Sequence, residues 1–176
     1  MKNLMRVFLM LFVVGAFIAC SSDDDSTQEQ TSTFKIDGVE YDMGQAQPNG
    51  GVIQIISGFN EDGSSSAQIA LSGNNGNKIG TVRFLINFME SDGISGTYQE
   101  GDFMDDIGVF DSEASIYMIS EIVDGSQQII SSEGAEGTFK ITHNANANYT
   151  IEYNVTYDDG TVSEASITQD FVVQEI

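Results

Sequence analysis

Apolar and polar residues alternate along several segments in the second part of the chain. The clearest is Tyr149–Tyr157, where Tyr, Ile, Tyr, Val and Tyr occupy every second position with polar residues between them. Similar alternation covers residues 67–71, 82–88 and 138–142. Because successive side chains of a strand point to opposite faces, this period of two predicts strands with one face on a core and the other in water.

Pairs of Asp or Asn with Gly separate these segments. Asp37-Gly38 lies between two short apolar stretches and predicts a two-residue hairpin turn, because Gly accepts a positive φ angle and Asp hydrogen-bonds its own backbone. Further pairs occur at 62–63, 75–76, 92–93, 124–125 and 159–160. No window of about twelve residues has the apolar spacing of three and four that indicates a helix.

Segments and turns together predict roughly nine to ten strands joined by short loops. Such a pattern over residues 34–176 is typical of one all-β domain, either an antiparallel β-sandwich or a meander β-barrel, with a lipocalin-like barrel as an alternative. Two stretches stay open. Residues 100–113 form either a long acidic loop or a short helix, and the apolar run 116–119 is either a central strand buried on both faces or the wall of a ligand cavity.

Four stretches of this domain can be compared with known proteins: Phe34–Tyr41, Ile94–Tyr98, Glu136–Thr142 and Asp159–Thr161. In these stretches the chain resembles a loosely defined group of small β-rich domains in Bacteroidota lipoproteins. The resemblance implies an all-β fold. It implies no catalytic residues, because the group has no established activity.

The N-terminal residues divide in the manner of a secretory signal. Lys2 and Arg6 precede the apolar stretch Val7–Ala19, which is shorter than the roughly 20 residues of a transmembrane helix. The sequence Phe17-Ile18-Ala19-Cys20 resembles a lipobox, although Phe17 stands where leucine is usual. The resemblance implies that residues 1–19 are removed and that Cys20 receives a lipid. An ordinary signal peptide cut near Ala19 is the alternative.

Residues 20–33 begin with Cys20 and then contain no apolar side chain, which predicts a disordered acidic tether. The residues just after the cysteine are Ser21, Ser22, Asp23, Asp24 and Asp25. They resemble the export signal of Bacteroidota surface lipoproteins. The resemblance implies a lipid-anchored protein on the cell-surface face of the outer membrane. The alternative is a plain polar spacer, which would not direct the protein to that face.

The charge of the chain limits its partners. It has 27 acidic and six basic residues, for a net charge of −21, and loss of Lys2 and Arg6 with the signal would change this to −23. Such a charge disfavours nucleic acid, whose phosphates need cationic partners, and it disfavours polybasic adhesion to a membrane. Membrane attachment is therefore expected through the lipid, and a protein or glycan ligand is left unidentified.

Few residues could carry chemistry. His143 is the only histidine, and the Asn- and Ala-rich stretch after it predicts an exposed hairpin position rather than a general base. Cys20 is the only cysteine, so neither a disulfide within the chain nor a thiolate cluster can form. Without a nucleophile elbow or a zinc-protease motif, an envelope hydrolase is the least favoured function.

Calcium is the one cofactor that the sequence suggests. Asp102, Asp105, Asp106 and Asp111 lie close together within 100–113, and Ca²⁺ prefers several oxygen ligands. The EF-hand pattern is absent, and a solvated acidic loop explains the same residues. The four aspartates are therefore candidate ligands for Ca²⁺, and no other cofactor is expected.

Aromatic platforms for glycans are scarce. There is no Trp, and Tyr149, Tyr153 and Tyr157 share the face that is predicted to be core. Tyr98 and Tyr117 remain as candidates for exposed rings. The sequence thus favours a non-catalytic, lipid-anchored envelope protein with a binding or structural role. A glycan- or small-ligand-binding β-barrel or sandwich, either with or without bound Ca²⁺, is the alternative.

Overall fold

A computed structural model describes residues 32–44, 50–57, 63–102 and 107–176, and these form an all-β domain, as predicted. The described residues contain 13 strands rather than nine to ten. Among them, β7 and β13 have only three and four residues, too few for alternation to stand out. The strands are β1 (Thr33–Ile36), β2 (Val39–Asp42), β3 (Gly51–Ile56), β4 (Ser64–Asn75), β5 (Lys78–Met89), β6 (Gly96–Gly101), β7 (Val109–Asp111), β8 (Ile116–Val123), β9 (Ser126–Glu133), β10 (Glu136–Ala145), β11 (Asn148–Thr156), β12 (Val162–Asp170) and β13 (Val172–Glu175).

Several predicted turns join strands that pair with one another, whereas Asp92-Gly93 lies between β5 and β6, which do not pair, and Asp62 lies outside the described residues. Asp37 and Gly38 both have positive φ, 51° and 75°, as do Asp124 and Gly125, at 51° and 77°. Two consecutive residues in the left-handed region are what a two-residue hairpin turn requires, since its twist then matches that of the strands. The turn predictions at β1–β2 and β8–β9 are confirmed.

All the described strands belong to one sheet, and part of this sheet closes on itself. The ring runs β4–β2–β1–β12–β11–β10–β6–β7–β5 and returns to β4 through the long β4–β5 hairpin. β3 and β13 extend the sheet from β4, and β8 and β9 extend it from β5. Most pairs are antiparallel as predicted, but β13–β3 and β6–β7 are parallel, so the sheet is mixed. The result is a barrel-like ring with two open wings.

The interior of the ring is filled with side chains. Phe84 is its centre, and the ring centroids of Phe139, Tyr153 and Phe110 lie 4.7, 4.9 and 6.1 Å from that of Phe84. The alternating residues of β11 all face this core, which confirms the period-of-two prediction. Each such side chain contributes about 1.5–3 kcal/mol by leaving water.

Two glycines allow the ring to close. Gly73 of β4 lies directly opposite Gly80 of β5, and Tyr41 from β2 packs onto both, with its Cβ beside Gly73 and its aromatic ring beside Gly80. A Cβ atom on Gly80 would lie 2.7–2.8 Å from three atoms of the Tyr41 ring. Tyr41 also stacks on Phe34 of β1, with centroids 5.5 Å apart. Since β2 and β4 share only the Asp42–Asn74 pair, this packing carries much of the contact between them.

Candidate functional site

The proposed lipid attachment site lies outside the described residues. Cys20 and the acidic residues 21–25 all precede residue 32, where the description begins. The first strand starts at Thr33, close to the predicted boundary between tether and domain. Lipid attachment and surface export therefore stay predictions from the sequence.

Two of the four calcium candidates are described. Asp102 follows β6, Asp111 ends β7, and these parallel strands are neighbours, with Gly101 opposite Asp111. Asp105 and Asp106 lie outside the described residues. Within the described part of the chain, no three His, Cys, Asp or Glu side chains come together as metal ligands would. The structure places strands at both ends of residues 100–113, where the sequence suggested a loop or a helix.

Asp111 has a structural role in the turn that follows it. Its side chain is 2% exposed, and its Oδ1 accepts a hydrogen bond of 3.1 Å from the backbone N–H of Ala114. The carbonyl oxygen of Asp111 accepts further bonds from the hydroxyl and the N–H of Ser115, at 2.7 and 3.0 Å. These contacts shape the start of β8 and explain why an aspartate is buried there.

His143 is exposed near the end of β10, as predicted. Its imidazole stacks on the ring of Tyr149, with centroids 4.6 Å apart and an angle of 19° between the rings. Its Nε2 lies 2.7 Å from the carbonyl oxygen of Asn146 in the β10–β11 turn. The imidazole of His143 thus contributes to the packing at the end of the β10–β11 hairpin.

The tyrosines are buried, including two that the sequence left as candidates for exposed rings. Tyr98 and Tyr117 are 3% and 2% exposed, so this expectation was wrong. The Tyr98 hydroxyl donates to the carbonyl of Ile94 over 2.7 Å, and burial raises its pKa to about 12. The Tyr117 hydroxyl donates to Oδ2 of Asp159 over 2.6 Å. Each hydroxyl reaches a partner at the rim of the core, which lets the ring itself be buried.

The apolar run 116–119 lies in β8, between β5 and β9 in the sheet. Tyr117 is buried, whereas Ile116, Met118 and Ile119 are only half-buried. The interpretation of this run as a central strand buried on both faces was wrong, because three of its four residues are only half-buried.

A small depression lies between the turn after β9 and the turn after β11. Its volume is about 240 Å³, and it is lined by Gly134, Glu136, Thr156, Tyr157, Asp158 and Gly160. Pockets for drug-sized ligands usually have at least ~300 Å³ and mainly apolar walls. A Cβ atom on Gly134 would lie 2.3–2.4 Å from the Asp158 carboxylate, so the two turns already fit closely here. The depression is small and acidic.

The basic residues differ in a way that the sequence did not reveal. Lys35, Lys78 and Lys140 each lie directly opposite a glutamate on the adjacent strand and form exposed ion pairs with it. Arg83 instead lies opposite Ala70 and Ile116. Its Nε is buried without a hydrogen-bond partner, and burial lowers the pKa of the guanidinium. The difference depends on strand pairing, because β4 and β8 place apolar residues rather than a glutamate opposite Arg83 of β5.

A second feature that the sequence analysis missed is the exposed wing formed by β8 and β9. Ile122, Ile129 and Ile130 are 66%, 56% and 62% exposed, and nearby Ile79 of β5 is 50% exposed. The two adjacent isoleucines between Gln and Ser in 126–132 do not alternate with polar residues, so the period-of-two pattern identifies no buried face there. The position of β9 at the end of the sheet leaves both isoleucines exposed.

No family model, curated protein or solved structure matches the chain. None of the described residues belongs to a helix with the length and apolar character needed to cross a membrane.

Proposed function

We propose that this protein is a lipoprotein, anchored through a lipid on Cys20 to the outer membrane and exposed on the cell surface. Its β domain then has a non-catalytic role in binding or in envelope structure. The observation that carries the proposal is the order of elements. A short positive segment, an apolar stretch and a lipobox-like cysteine come first, followed by an acidic tether and a domain that begins at Thr33.

The chemistry of the described residues supports a non-catalytic role. His143 stacks on Tyr149, Asp111 holds a turn, and the buried tyrosines fill the core. General acid–base or nucleophilic catalysis needs such groups to converge around a space for substrate. In the described part of the chain these side chains serve packing and turn formation. No observation there favours glycan or small-ligand binding instead.

Lipid attachment is tested by metabolic labelling with radioactive palmitate in a host that processes lipoproteins. The wild-type chain is expected to incorporate label, and Cys20→Ser is expected to lose it completely, because no other thiol exists. Equal labelling of both chains, or of neither, would contradict the anchor. Cell fractionation of the same samples should show wild-type protein in the outer membrane.

Surface exposure is tested separately by protease treatment of intact cells. The wild-type domain is expected to be digested, and a chain with Asp23→Asn, Asp24→Asn and Asp25→Asn is expected to be protected. Glu29→Gln, which removes one charge further along the tether, is the matched control and should behave as wild type. Protection of the wild-type domain would instead place it on the periplasmic side.

A further inference from the structure

The hairpin of β4 and β5 ends in an exposed turn that contains the pair Asn75-Gly76. Asn75 lies opposite Lys78 as the last pair of the two strands, so Gly76 and Asn77 form the turn between them. Gly76 has a φ of 60°, and a Cβ atom placed on it would have no neighbour within 4 Å. The turn is therefore open to water beside the backbone nitrogen that follows Asn75.

The side chain of Asn75 is also part of the contact that closes the ring. Its Nδ2 donates a hydrogen bond of 2.8 Å to the carbonyl oxygen of Glu40 in β2. The same contact contains the Asp42–Asn74 pair and the packing of Tyr41 on the glycines of β4 and β5. An amide that joins two hairpins thus lies directly before a glycine.

We propose that Asn75 is a site of spontaneous deamidation, and that its conversion weakens the contact between β2 and β4. Asparagine is a chemically labile residue, and a following glycine has no side chain to hinder attack on it. In the first step the backbone nitrogen of Gly76 loses its proton to hydroxide and attacks Cγ of Asn75. The N–Cγ bond forms, the Cγ–Nδ2 bond breaks, and Nδ2 takes a proton from water and leaves as ammonia.

Water completes the conversion by opening the cyclic imide. It adds to one of the two imide carbonyl carbons and breaks the bond from that carbon to the nitrogen of Gly76. Cleavage at Cγ leaves an aspartate in an ordinary main chain. Cleavage at the main-chain carbonyl carbon of Asn75 leaves an isoaspartate, in which the main chain runs through Cγ. The net reaction consumes water and releases ammonia, without oxidation or reduction.

The position of Asn75 in the fold permits this chemistry. Closure of the imide requires Asn75 to leave its extended conformation and to release Glu40. Residues 75–77 are all exposed at the end of a hairpin, where a strand pair opens at little cost in free energy. Asn77 supplies a contrast within the same turn, because its amide donates to Glu121 over 3.0 Å but the next residue is Lys78 rather than glycine.

Either product removes interactions between the two hairpins. A carboxylate has no proton to donate to the carbonyl of Glu40, so two acceptors would face each other. The new charge also lies opposite Lys78, which attracts it away from that carbonyl. In isoaspartate the added main-chain carbon further disturbs the pairing of residue 75 with Lys78. The packing of Tyr41 is then left to hold the ring closed.

Ageing of the full chain in mildly alkaline water labelled with heavy oxygen tests the chemistry. Asn49→Ser removes the other Asn-Gly pair of the sequence, so that Asn75-Gly76 is the only one left. Peptide mass spectrometry should find the label incorporated at residue 75 roughly tenfold or more faster than at Asn77, because only Asn75 is attacked by a glycine nitrogen. Incorporation at residue 75 that is no faster than at Asn77 would overturn the proposal.

Thermal unfolding tests the effect on the fold. Anion exchange separates the converted chain, which has gained a negative charge. Its melting temperature should be about 2–4 °C below that of unconverted chain, the shift that loss of one hydrogen bond brings at this length. Asn75→Gln in the same background is the matched control, because closure of its larger ring is slow, and its melting temperature should not change on ageing. Equal melting temperatures of converted and unconverted chains would refute the weakening of the contact.

Discussion

Tyr157 is a buried side chain whose hydroxyl has no hydrogen-bond partner in the described structure. Its ring packs edge-on against Tyr117, with centroids 4.9 Å apart, and it is 2% exposed. Burial, with smaller contributions from Tyr153 and Tyr117, raises the pKa of its hydroxyl well above the usual value. The ring stabilises the core, while the hydroxyl loses its hydration without gaining a bond.

Replacement of Tyr157 by phenylalanine tests this description. Tyr157→Phe keeps the ring and removes the unsatisfied oxygen, so the free energy of unfolding should be unchanged or rise by up to about 1 kcal/mol. Tyr98→Phe is the control, because it removes a hydroxyl that donates a hydrogen bond to the carbonyl of Ile94. It should lower the free energy of unfolding by about 0.5–1.5 kcal/mol. Urea unfolding measures both, and a larger loss for Tyr157→Phe than for Tyr98→Phe would contradict the assignment.

At the scale of elements, the contact between the β1–β2 hairpin and the β4–β5 hairpin closes the ring. Apart from the Asp42–Asn74 pair, it includes a hydrogen bond of 2.8 Å from the Asn75 side chain to the carbonyl of Glu40. Tyr41 packs over the opposed glycines 73 and 80 at the same place. Aromatic packing on glycine thus takes the place of a longer strand ladder.

Substitution at this contact should therefore be costly although it adds only one methyl group. In Gly80→Ala, the new Cβ would meet the Tyr41 ring at 2.7–2.8 Å, so the ring must shift. We expect the free energy of unfolding to fall by about 1–3 kcal/mol, the usual cost of overpacking. Asn154→Ala, on the exposed face of β11, is the control and should change it by less than about 0.5 kcal/mol. Thermal or urea unfolding would show equal stability of the two variants if the contact were unimportant.

At the scale of the whole molecule, buried tyrosines make the fold sensitive to alkaline pH. Burial raises the pKa of Tyr98 from 10.0 to about 12 and that of Tyr153 further still. An unfolded chain loses these protons near pH 10, while the folded chain keeps them. The stability they provide is thus fully present below pH 10 and is lost as pH rises through the folded pKa values.

Unfolding measured in urea from pH 8 to pH 12 tests this dependence. The midpoint should be steady to about pH 10 and then fall, and Tyr98→Phe should fall less steeply because one titrating group is absent. A midpoint that stays constant from pH 10 to pH 12 would show that the tyrosines titrate normally. Absorbance at the tyrosinate band gives an independent reading of the same ionisation.

Features that depend on adjacent residues could be predicted from the chain alone. Alternation in Tyr149–Tyr157 determined which face of β11 is buried, because the side-chain period of a strand is two whatever its partners are. Asp37-Gly38 and Asp124-Gly125 determined hairpin turns through their local backbone preferences. The exposed position of His143 followed from the polar loop beside it.

Which strands are neighbours depends on the tertiary structure, because pairing joins segments far apart in the chain. The tertiary structure therefore set several features that the chain alone did not reveal. It buried Tyr98 and Tyr117, which the sequence left as exposed candidates, and it placed β6 and β7 in parallel. It also put β9 at an open end of the sheet, so that Ile129 and Ile130 are exposed although isoleucine is among the residues most often buried. A strand pattern specifies apolar faces, but the position of the strand in the sheet determines whether anything covers them.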